Sequence, residues 1–194
     1  IDGQVFSYRG ASYAIPLLGE HQLQNAATVL EAISVLRKQG WDIDDEAVES
    51  GLYSVAWPAR FEVLHTDDPW FVLDGGHNPQ CAAALRECLE HYFPDSKRVA
   101  LVGVLKDKDY KSIAATLAPL FDACVCVTPP SERALPAEEL AELFKGSCRE
   151  VCVADTVEDG VDLARDIAQE RDAMVCAFGS LYICGQIRSC FGLR

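Results

Sequence analysis

From Phe61 onward, short apolar segments alternate with stretches in which apolar residues recur every three or four positions. Segments such as VALVGVL and ACVCV are apolar without alternation, which is typical of parallel strands covered on both faces. The stretches between them have the spacing of amphipathic helices. The predicted strands lie at about 61–65, 70–74, 98–104, 123–128, 150–153 and 173–178, and the predicted helices lie near 79–92, 109–119, 136–145, 157–169 and 180–191. This order predicts a Rossmann-like, mostly parallel, doubly wound α/β sheet.

The first part of the chain follows a different pattern. A strand-like run with a turn at Arg9–Gly10 predicts a β-hairpin. It is followed by a predicted helix over about 21–38, which Gly40 ends, and by a short helix after Asp44. The sequence AWPAR at 56–60 interrupts this pattern and is the predicted hinge. We therefore predict two domains, residues 1–57 and 58–194.

Composition restricts the class of partner. The chain has 194 residues, 49% hydrophobic and 24% charged, with a formal net charge of −13. Nucleic acids and anionic membranes need a basic surface, so neither is an expected partner. No apolar run approaches the ~20 residues of a membrane-spanning helix.

The nine cysteines form no C-x-x-C pair and no zinc-binding pattern with histidine. Cys124 and Cys126 alternate along a predicted strand, and Cys88 lies one helical turn from Leu85. We interpret the cysteines as reduced, small apolar side chains of a cytoplasmic protein. Because the chain opens at Ile1 directly in a strand, we expect a fragment or excised domain without a signal peptide.

Polar residues follow three predicted strands directly, at the edge where doubly wound sheets bind ligands. Asp74 to Asn78 follow one strand, Leu105 to Asp109 another, and Gly179–Ser180 a third. Asn78 and Pro79 suit the N-cap and first position of a helix, which places His77 where anions are favoured.

Each of these signals has a structural alternative. Asp74 and Asn78 could only cap the helix and turn the chain, and Asp109 and Ser180 could be N-caps in solvated loops. On the first helix, His21, Gln22 and Asn25 are expected to share a polar side that is simply exposed.

Taken together, five motifs resemble the folylpolyglutamate synthase/dihydrofolate synthase family within the Mur ligase superfamily. They are GEHQLQNAATVLEAI, WPARFEVL, LDGGHNPQCAAAL, GVLKDKD and AFGSLY, and the resemblance extends from Leu18 to Tyr182. It implies a ligase that phosphorylates a folate or pteroate carboxylate with ATP, after which the amine of glutamate attacks the acyl phosphate.

The resemblance also implies roles for residues. Asn25 resembles the asparagine that hydrogen-bonds ATP near the adenine, Arg60 the arginine that reaches the phosphates, and Asp74 the aspartate that binds the ribose. His77 matches a histidine near the phosphates or the incoming amino acid, and His77 and Arg60 are the expected catalytic residues. The chemistry agrees, since a guanidinium suits phosphate oxygens and a carboxylate suits vicinal hydroxyls.

Lys106 and Ser180 lie where Mur ligases contact the amino-acid substrate. The expected small-molecule partners are thus folate, L-glutamate and ATP with Mg²⁺, and the expected state is a cytoplasmic monomer. Ala59 departs from the family, in which a glycine usually precedes the arginine.

A second departure concerns the phosphate loop. No G-x-x-x-x-G-K-[ST] sequence occurs in the chain. We therefore expect the end of the central ATPase domain and the whole C-terminal domain, with the magnesium ligands elsewhere and no ligase activity from the chain alone. The alternatives are another Mur-type amino-acid ligase, a non-catalytic α/β binding module, and a Rossmann dehydrogenase, which the absence of G-x-G-x-x-G disfavours.

Overall fold

A computed structural model describes residues 1–65, 67 and 69–193 of the chain. The chain divides into two compact units, Ile1–Pro58 and Ala59–Arg194. The division lies within the segment 56–60, where the helical pattern of the first part stops. Each unit has its own hydrophobic core.

The first unit is a β-hairpin followed by two helices. β1 (Gln4–Tyr8) and β2 (Ala11–Ile15) pair antiparallel around Arg9 and Gly10, whose positive φ angles of 49° and 86° suit a two-residue hairpin turn. The helices are α1 (Glu20–Lys38) and α2 (Asp45–Tyr53). The buried core consists of Ile15, Ala26, Leu30, Val48 and Leu52. The predicted hairpin and both predicted helices are confirmed.

The polar side predicted for α1 is wrong at Gln22. Gln22 is 7% exposed and shares the buried face of α1 with Ala26 and Leu30. Its side-chain oxygen accepts a hydrogen bond from Asn25 Nδ2 at 3.0 Å, which compensates for the burial of that oxygen. Polarity alone therefore assigned Gln22 to the wrong face.

The second unit is built on a six-stranded sheet in the order β3-β4-β8-β5-β6-β7. The strands are β3 (Glu62–His65), β4 (Phe71–Asp74), β5 (Lys97–Val102), β6 (Ala123–Val127), β7 (Glu150–Ala154) and β8 (Ala173–Phe178). β3 runs antiparallel to β4, and all other neighbours are parallel, which confirms the predicted sheet. Every residue of β4, β6 and β8 is buried, as expected of strands covered on both faces.

In the described part of this unit, the α-helices are α3 (Pro79–Tyr92), α4 (Tyr110–Leu117), α5 (Ala137–Glu142), α6 (Val157–Arg171) and α7 (Leu181–Cys190), and a short 3-10 helix (Ala118–Leu120) follows α4. The first three carry the chain from β4 across to β7, and α6 returns it, so that β8 lies between β4 and β5. Right-handed crossovers put these two directions on opposite faces, and α3 accordingly packs beside α4 while α6 packs beside α7. Within the described residues, no helix is both long and apolar enough to span a membrane.

The cysteines behave as small apolar side chains. All nine are free thiols, and six of them are buried. Burial raises the pKa of Cys88 and of Cys184 to about 12, with a smaller contribution from the negative charge of Asp74. Burial likewise raises the pKa of Cys148 to about 11. These thiols therefore stay protonated at neutral pH.

Candidate functional site

The carboxyl ends of three parallel strands meet at one edge of the second unit. Asp74 at the end of β4 and Val102 at the end of β5 both lie in register with Phe178 at the end of β8. Gly103 N donates a hydrogen bond to Phe178 O at 3.3 Å, just beyond β5 and β8. The loops that follow these strands therefore start side by side, as the sequence predicted.

Asp74 is bound by the backbone on both carboxylate oxygens. Its Oδ2 accepts a hydrogen bond from Phe61 N at 2.9 Å, and its Oδ1 accepts one from Gly76 N at 2.7 Å. The residue is 8% exposed, so these amides replace the water that the carboxylate loses on burial. The structure thus gives Asp74 a role in holding the chain, and its contact with a ribose stays a prediction.

His77 and Asn78 stand at the start of α3. Asn78 Oδ1 accepts a hydrogen bond from Cys81 N at 2.8 Å, and Pro79 is the first helical residue, so the predicted N-cap is confirmed. His77 is partly buried, and its Nδ1 lies 3.1 Å from Gly75 O. Because a carbonyl oxygen can only accept, Nδ1 carries the proton in this contact, and Nε2 holds the lone pair of the neutral ring.

Gly75 lies against the Leu181 side chain. A Cβ atom on Gly75 would lie 2.3 Å from Leu181 Cδ2 at the start of α7. Gly75 N also donates a hydrogen bond to Ala59 O at 2.8 Å. The Gly75 backbone therefore contacts both the Ala59 carbonyl and the Leu181 side chain.

Arg60 lies in a turn with unusual backbone geometry. Its neighbours Ala59 and Phe61 have φ angles of 57° and 43°, in the left-handed region that residues other than glycine rarely adopt. A glycine, which the resemblance places at position 59, adopts this region at no steric cost. Arg60 is partly buried, and no ion pair among the described residues involves it. A guanidinium binds anionic oxygens through charge-assisted hydrogen bonds.

Lys106 is exposed in the loop after β5. Its backbone N–H donates a hydrogen bond to Arg133 O at 2.8 Å, and its Nζ donates one to Glu132 O at 3.3 Å. Arg133, which sequence reasoning missed, pairs with Asp107 Oδ2 at 3.0 Å and donates a hydrogen bond to the Tyr182 hydroxyl at 3.4 Å. No local spacing could have indicated Arg133, because these partners lie 26 and 49 residues away.

Ser180 and Asp109 are helix N-caps. Ser180 is 2% exposed, and its Oγ accepts a hydrogen bond from Tyr182 N at 3.2 Å at the start of α7. Asp109 Oδ1 accepts a hydrogen bond from Ser112 N at 3.2 Å at the start of α4. Both residues therefore cap helices, as the structural alternative expected. A hydroxyl that accepts still has a proton to donate, so capping leaves the predicted substrate contact of Ser180 open.

The remaining predicted residue, Asn25, belongs to the first unit. It is exposed on α1, and its Nδ2 donates a hydrogen bond to Gln22 Oε1 at 3.0 Å. The predicted set is thus divided between the two units, with Asn25 in one and the others in the second.

Clustered metal ligands are not found among the described residues. No group of three or more His, Cys, Asp or Glu side chains in this part of the chain could hold a metal ion. The strand-end loops therefore offer single cations and hydrogen-bonding groups to an anionic ligand, and no ready set of metal ligands.

Residues 59–181 match a family model described as "Mur ligase, glutamate ligase domain". The chain is 37% identical over 177 residues to a probable bifunctional folylpolyglutamate synthase/dihydropteroate synthase of Halobacterium salinarum, covering 90% of this chain and 21% of that protein. It is 34% identical over 215 residues to the dihydrofolate synthase/folylpolyglutamate synthase of Mycobacterium tuberculosis, covering 99% of this chain and 44% of that protein.

A solved structure agrees over the whole chain. Mycobacterium tuberculosis folylpolyglutamate synthase, complexed with ADP and AMPPCP, superimposes with a TM-score of 0.90 at 31% identity. The alignment covers 100% of this chain and 46% of that one. The chain therefore spans less than half the length of these relatives.

Proposed function

The chain belongs to the Mur ligase family through its glutamate ligase domain, and from this membership we propose that it is the C-terminal part of a folylpolyglutamate synthase. Such an enzyme uses ATP to join L-glutamate to folate. The observation that carries the proposal is the superposition of the whole chain on a folylpolyglutamate synthase with a TM-score of 0.90. We include dihydrofolate synthase activity because a relative that is 34% identical bears both names.

Three residues are proposed to contact ATP. Arg60, a guanidinium without an ion pair among the described residues, binds two phosphate oxygens through its planar fork. Asp74 contacts the ribose, since a carboxylate accepts hydrogen bonds from vicinal hydroxyl groups. Asn25, exposed on α1, offers its amide to the adenine side. These donors and acceptors match the chemistry of a nucleotide.

Three further residues are proposed to serve the amino acid. Lys106 is exposed and attracts a carboxylate of glutamate, and the buried hydroxyl of Ser180 donates a hydrogen bond to one. His77 Nε2 accepts a proton from the amino group of glutamate, because Nδ1 carries the proton toward Gly75 O. The functional groups of Lys106 and Ser180 suit binding of a carboxylate, and the imidazole of His77 suits acceptance of a proton.

The proposed reaction has two steps. A carboxylate oxygen of folate attacks the γ-phosphorus of ATP, and ADP leaves. The amine of glutamate then attacks the acyl carbon, the amide bond forms, and phosphate leaves. Arg60 stabilises the phosphate charge in both steps. Mg²⁺, when bound, would screen charge on the phosphates, and we propose that its ligands lie in the part of the relatives that this chain does not cover.

We further propose a cytoplasmic, monomeric protein. Nine free thiols, six of them buried, suit a reducing compartment. The proposed partners are therefore the small molecules folate, L-glutamate and ATP.

The function is tested by producing the chain alone and joined to the part of the Mycobacterium tuberculosis relative that it does not cover. Each protein is assayed for ADP release that depends on both tetrahydrofolate and L-glutamate. We expect turnover only from the joined protein, because the chain contains no phosphate loop. Arg60→Ala in the joined protein is expected to reduce kcat by about 100-fold.

The other outcomes separate the alternatives. Turnover by the chain alone would contradict the proposed division of the site. ADP release that requires a cell-wall precursor and a different amino acid would identify another Mur-type ligase. A joined protein that binds nucleotide without any turnover would favour a non-catalytic binding module.

A further inference from the structure

The turn that carries Arg60 is held in a conformation that it would not adopt by itself. The residues before and after Arg60 are in the left-handed region, with φ angles of 57° at Ala59 and 43° at Phe61. For an aromatic residue such a φ angle is an outlier, and it persists only where surrounding contacts enforce it. The contacts of these two residues therefore decide where the Arg60 side chain is held.

Two carboxylates supply those contacts, one on each side of Arg60. Glu62 Oε2 accepts a hydrogen bond from Ala59 N at 2.8 Å. Asp74 Oδ2 accepts a hydrogen bond from Phe61 N at 2.9 Å. Ala59 O additionally accepts a hydrogen bond from Gly75 N at 2.8 Å. The backbone N–H groups of both residues next to Arg60 are thus bound by carboxylates, which form stronger hydrogen bonds than neutral acceptors.

Glu62 is itself held by α7. Its Oε1 pairs with Arg188 Nη1, and the side chains of Arg188 and Glu62 are only 14% and 23% exposed. The pair joins residues 126 positions apart in the chain. Because α7 begins immediately after Ser180, the pair also links the Arg60 turn to the helix that Ser180 caps.

We propose that Glu62 and Arg188 are positioning residues that hold the Arg60 guanidinium in place for the phosphates of ATP. The inference rests on the proposed phosphate contact of Arg60. Without the Glu62 carboxylate, the Ala59 amide loses its acceptor, and the turn relaxes toward negative φ and carries Arg60 away. A guanidinium displaced by about 1 Å loses much of its effect on a transition state.

The test measures kcat, KM for ATP and KM for glutamate in the protein that joins this chain to the part of the Mycobacterium tuberculosis relative that it does not cover. Glu62→Ala is expected to raise KM for ATP and to lower kcat about tenfold each, while KM for glutamate is unchanged. Glu62→Gln keeps an acceptor oxygen for Ala59 N but loses the charge opposite Arg188, so a smaller loss, about threefold, is expected. Glu62→Gln also keeps the test valid if Glu62→Ala does not fold.

Glu150→Ala is the matched control. Glu150 forms a similar, partly buried pair with Arg171, at the start of β7 and thus at the opposite edge of the sheet. The control removes the same charge and a comparable ion pair, and it is expected to leave KM for ATP and kcat within twofold. Equal kinetic losses in the Glu62 and Glu150 variants would overturn the proposal.

Arg60→Ala separates this inference from the proposed function. If Glu62 acts through Arg60, Glu62→Ala has no additional effect on kcat or on KM for ATP in an Arg60→Ala background. If Arg60→Ala leaves both unchanged, the proposed phosphate contact is wrong. If Arg60→Ala impairs turnover but Glu62→Ala does not, or if the two effects multiply, the contact stands and the positioning role is overturned.

Discussion

Asp74 combines two tasks at the scale of a single residue. Its carboxylate fixes Phe61 N and Gly76 N, and it is also the proposed ribose contact. Loss of the side chain would therefore loosen the Arg60 turn as well as remove a ligand contact. A weaker affinity for ATP after Asp74→Ala is expected from either cause, so stability has to be measured beside binding.

Asp74→Asn is expected to lower the free energy of unfolding by about 2–3 kcal/mol. An amide offers one acceptor oxygen, so one of the two backbone N–H groups loses its partner while it remains buried. Urea denaturation of the chain measures the change. The control is Asp107→Asn, which breaks the exposed pair with Arg133 and is expected to leave the free energy of unfolding nearly unchanged. A loss at Asp74 as small as that of the control would contradict the structural role of the carboxylate.

Whether a side-chain hydrogen bond can be predicted from sequence depends on how many residues separate its two partners along the chain. The Asn78 cap is predictable, because its acceptor and donor lie three residues apart and the geometry is local. The hydrogen bond between Asp74, at the end of β4, and Phe61, just before β3, joins residues 13 apart, and no periodicity indicates it. Glu62 and Arg188, 126 positions apart, are likewise visible only in the folded chain.

At the scale of elements, the loops after β5 and β8 meet at a close contact between Gly103 and Gly179. Gly179 has a φ angle of 110°, and a Cβ atom on it would lie 2.7 Å from Gly103 O and 2.8 Å from Val104 Cγ1. The turn from β8 into α7 therefore needs both the conformation and the small size of glycine.

Gly179→Ala is expected to destabilise the chain by about 3 kcal/mol, because strain at φ and a clash with a backbone oxygen act together. Thermal unfolding of the purified variant measures this loss of stability. Gly185→Ala is the opposite case, because Gly185 is inside α7 and a Cβ atom there meets nothing within 4 Å. That change is expected to stabilise the chain by about 0.5–1 kcal/mol. If both variants shift the melting temperature in the same direction, the contact at Gly179 is not the constraint described.

The sequence predicts the elements of the second unit better than their arrangement. Apolar runs without alternation indicate buried parallel strands, and helical spacing indicates the layers that cover them. The position of β8 between β4 and β5 has no such signal, because it depends on the return crossover of α6. The meeting of the three strand ends was predictable from the fold class, whereas the link from Lys106 to the loop of Arg133 was not.

At the scale of the whole molecule, the chain combines a strongly acidic composition with several buried thiols. The net charge is −13, yet the proposed ligands are anions, so local groups such as Arg60 have to supply the attraction. The buried thiols add no charge at neutral pH, because burial raises their pKa. The buried thiols reduce the stability of the folded chain only at alkaline pH.

Stability is therefore expected to fall at alkaline pH. The pKa of Cys88 and of Cys184 is about 12 in the folded chain, against an ordinary value of 9.0. Above pH 9 the unfolded chain releases these protons while the folded chain retains them. The contribution of each thiol is thus complete below pH 9 and is lost as the pH rises toward 12, by up to about 1.4 kcal/mol per pH unit.

Urea denaturation with a reductant, between about pH 8 and pH 10, measures this slope. A variant with Cys88→Ala and Cys184→Ala retains every other titrating group and is expected to lose stability less steeply. Identical slopes in the two proteins would show that the folded chain does not hold these protons.

The last strand of the chain occupies the middle of the sheet, since β8 pairs with both β4 and β5. On a ribosome, β3 to β7 are synthesised before β8, the strand that joins β4 to β5. Until Phe178 emerges, β4 and β5 present unpaired apolar edges, which are the surfaces through which nascent chains aggregate. A chaperone that shields strand edges is therefore needed longest at this point of synthesis, and a ribosome that stalls shortly before Phe178 leaves a chain that cannot close its sheet.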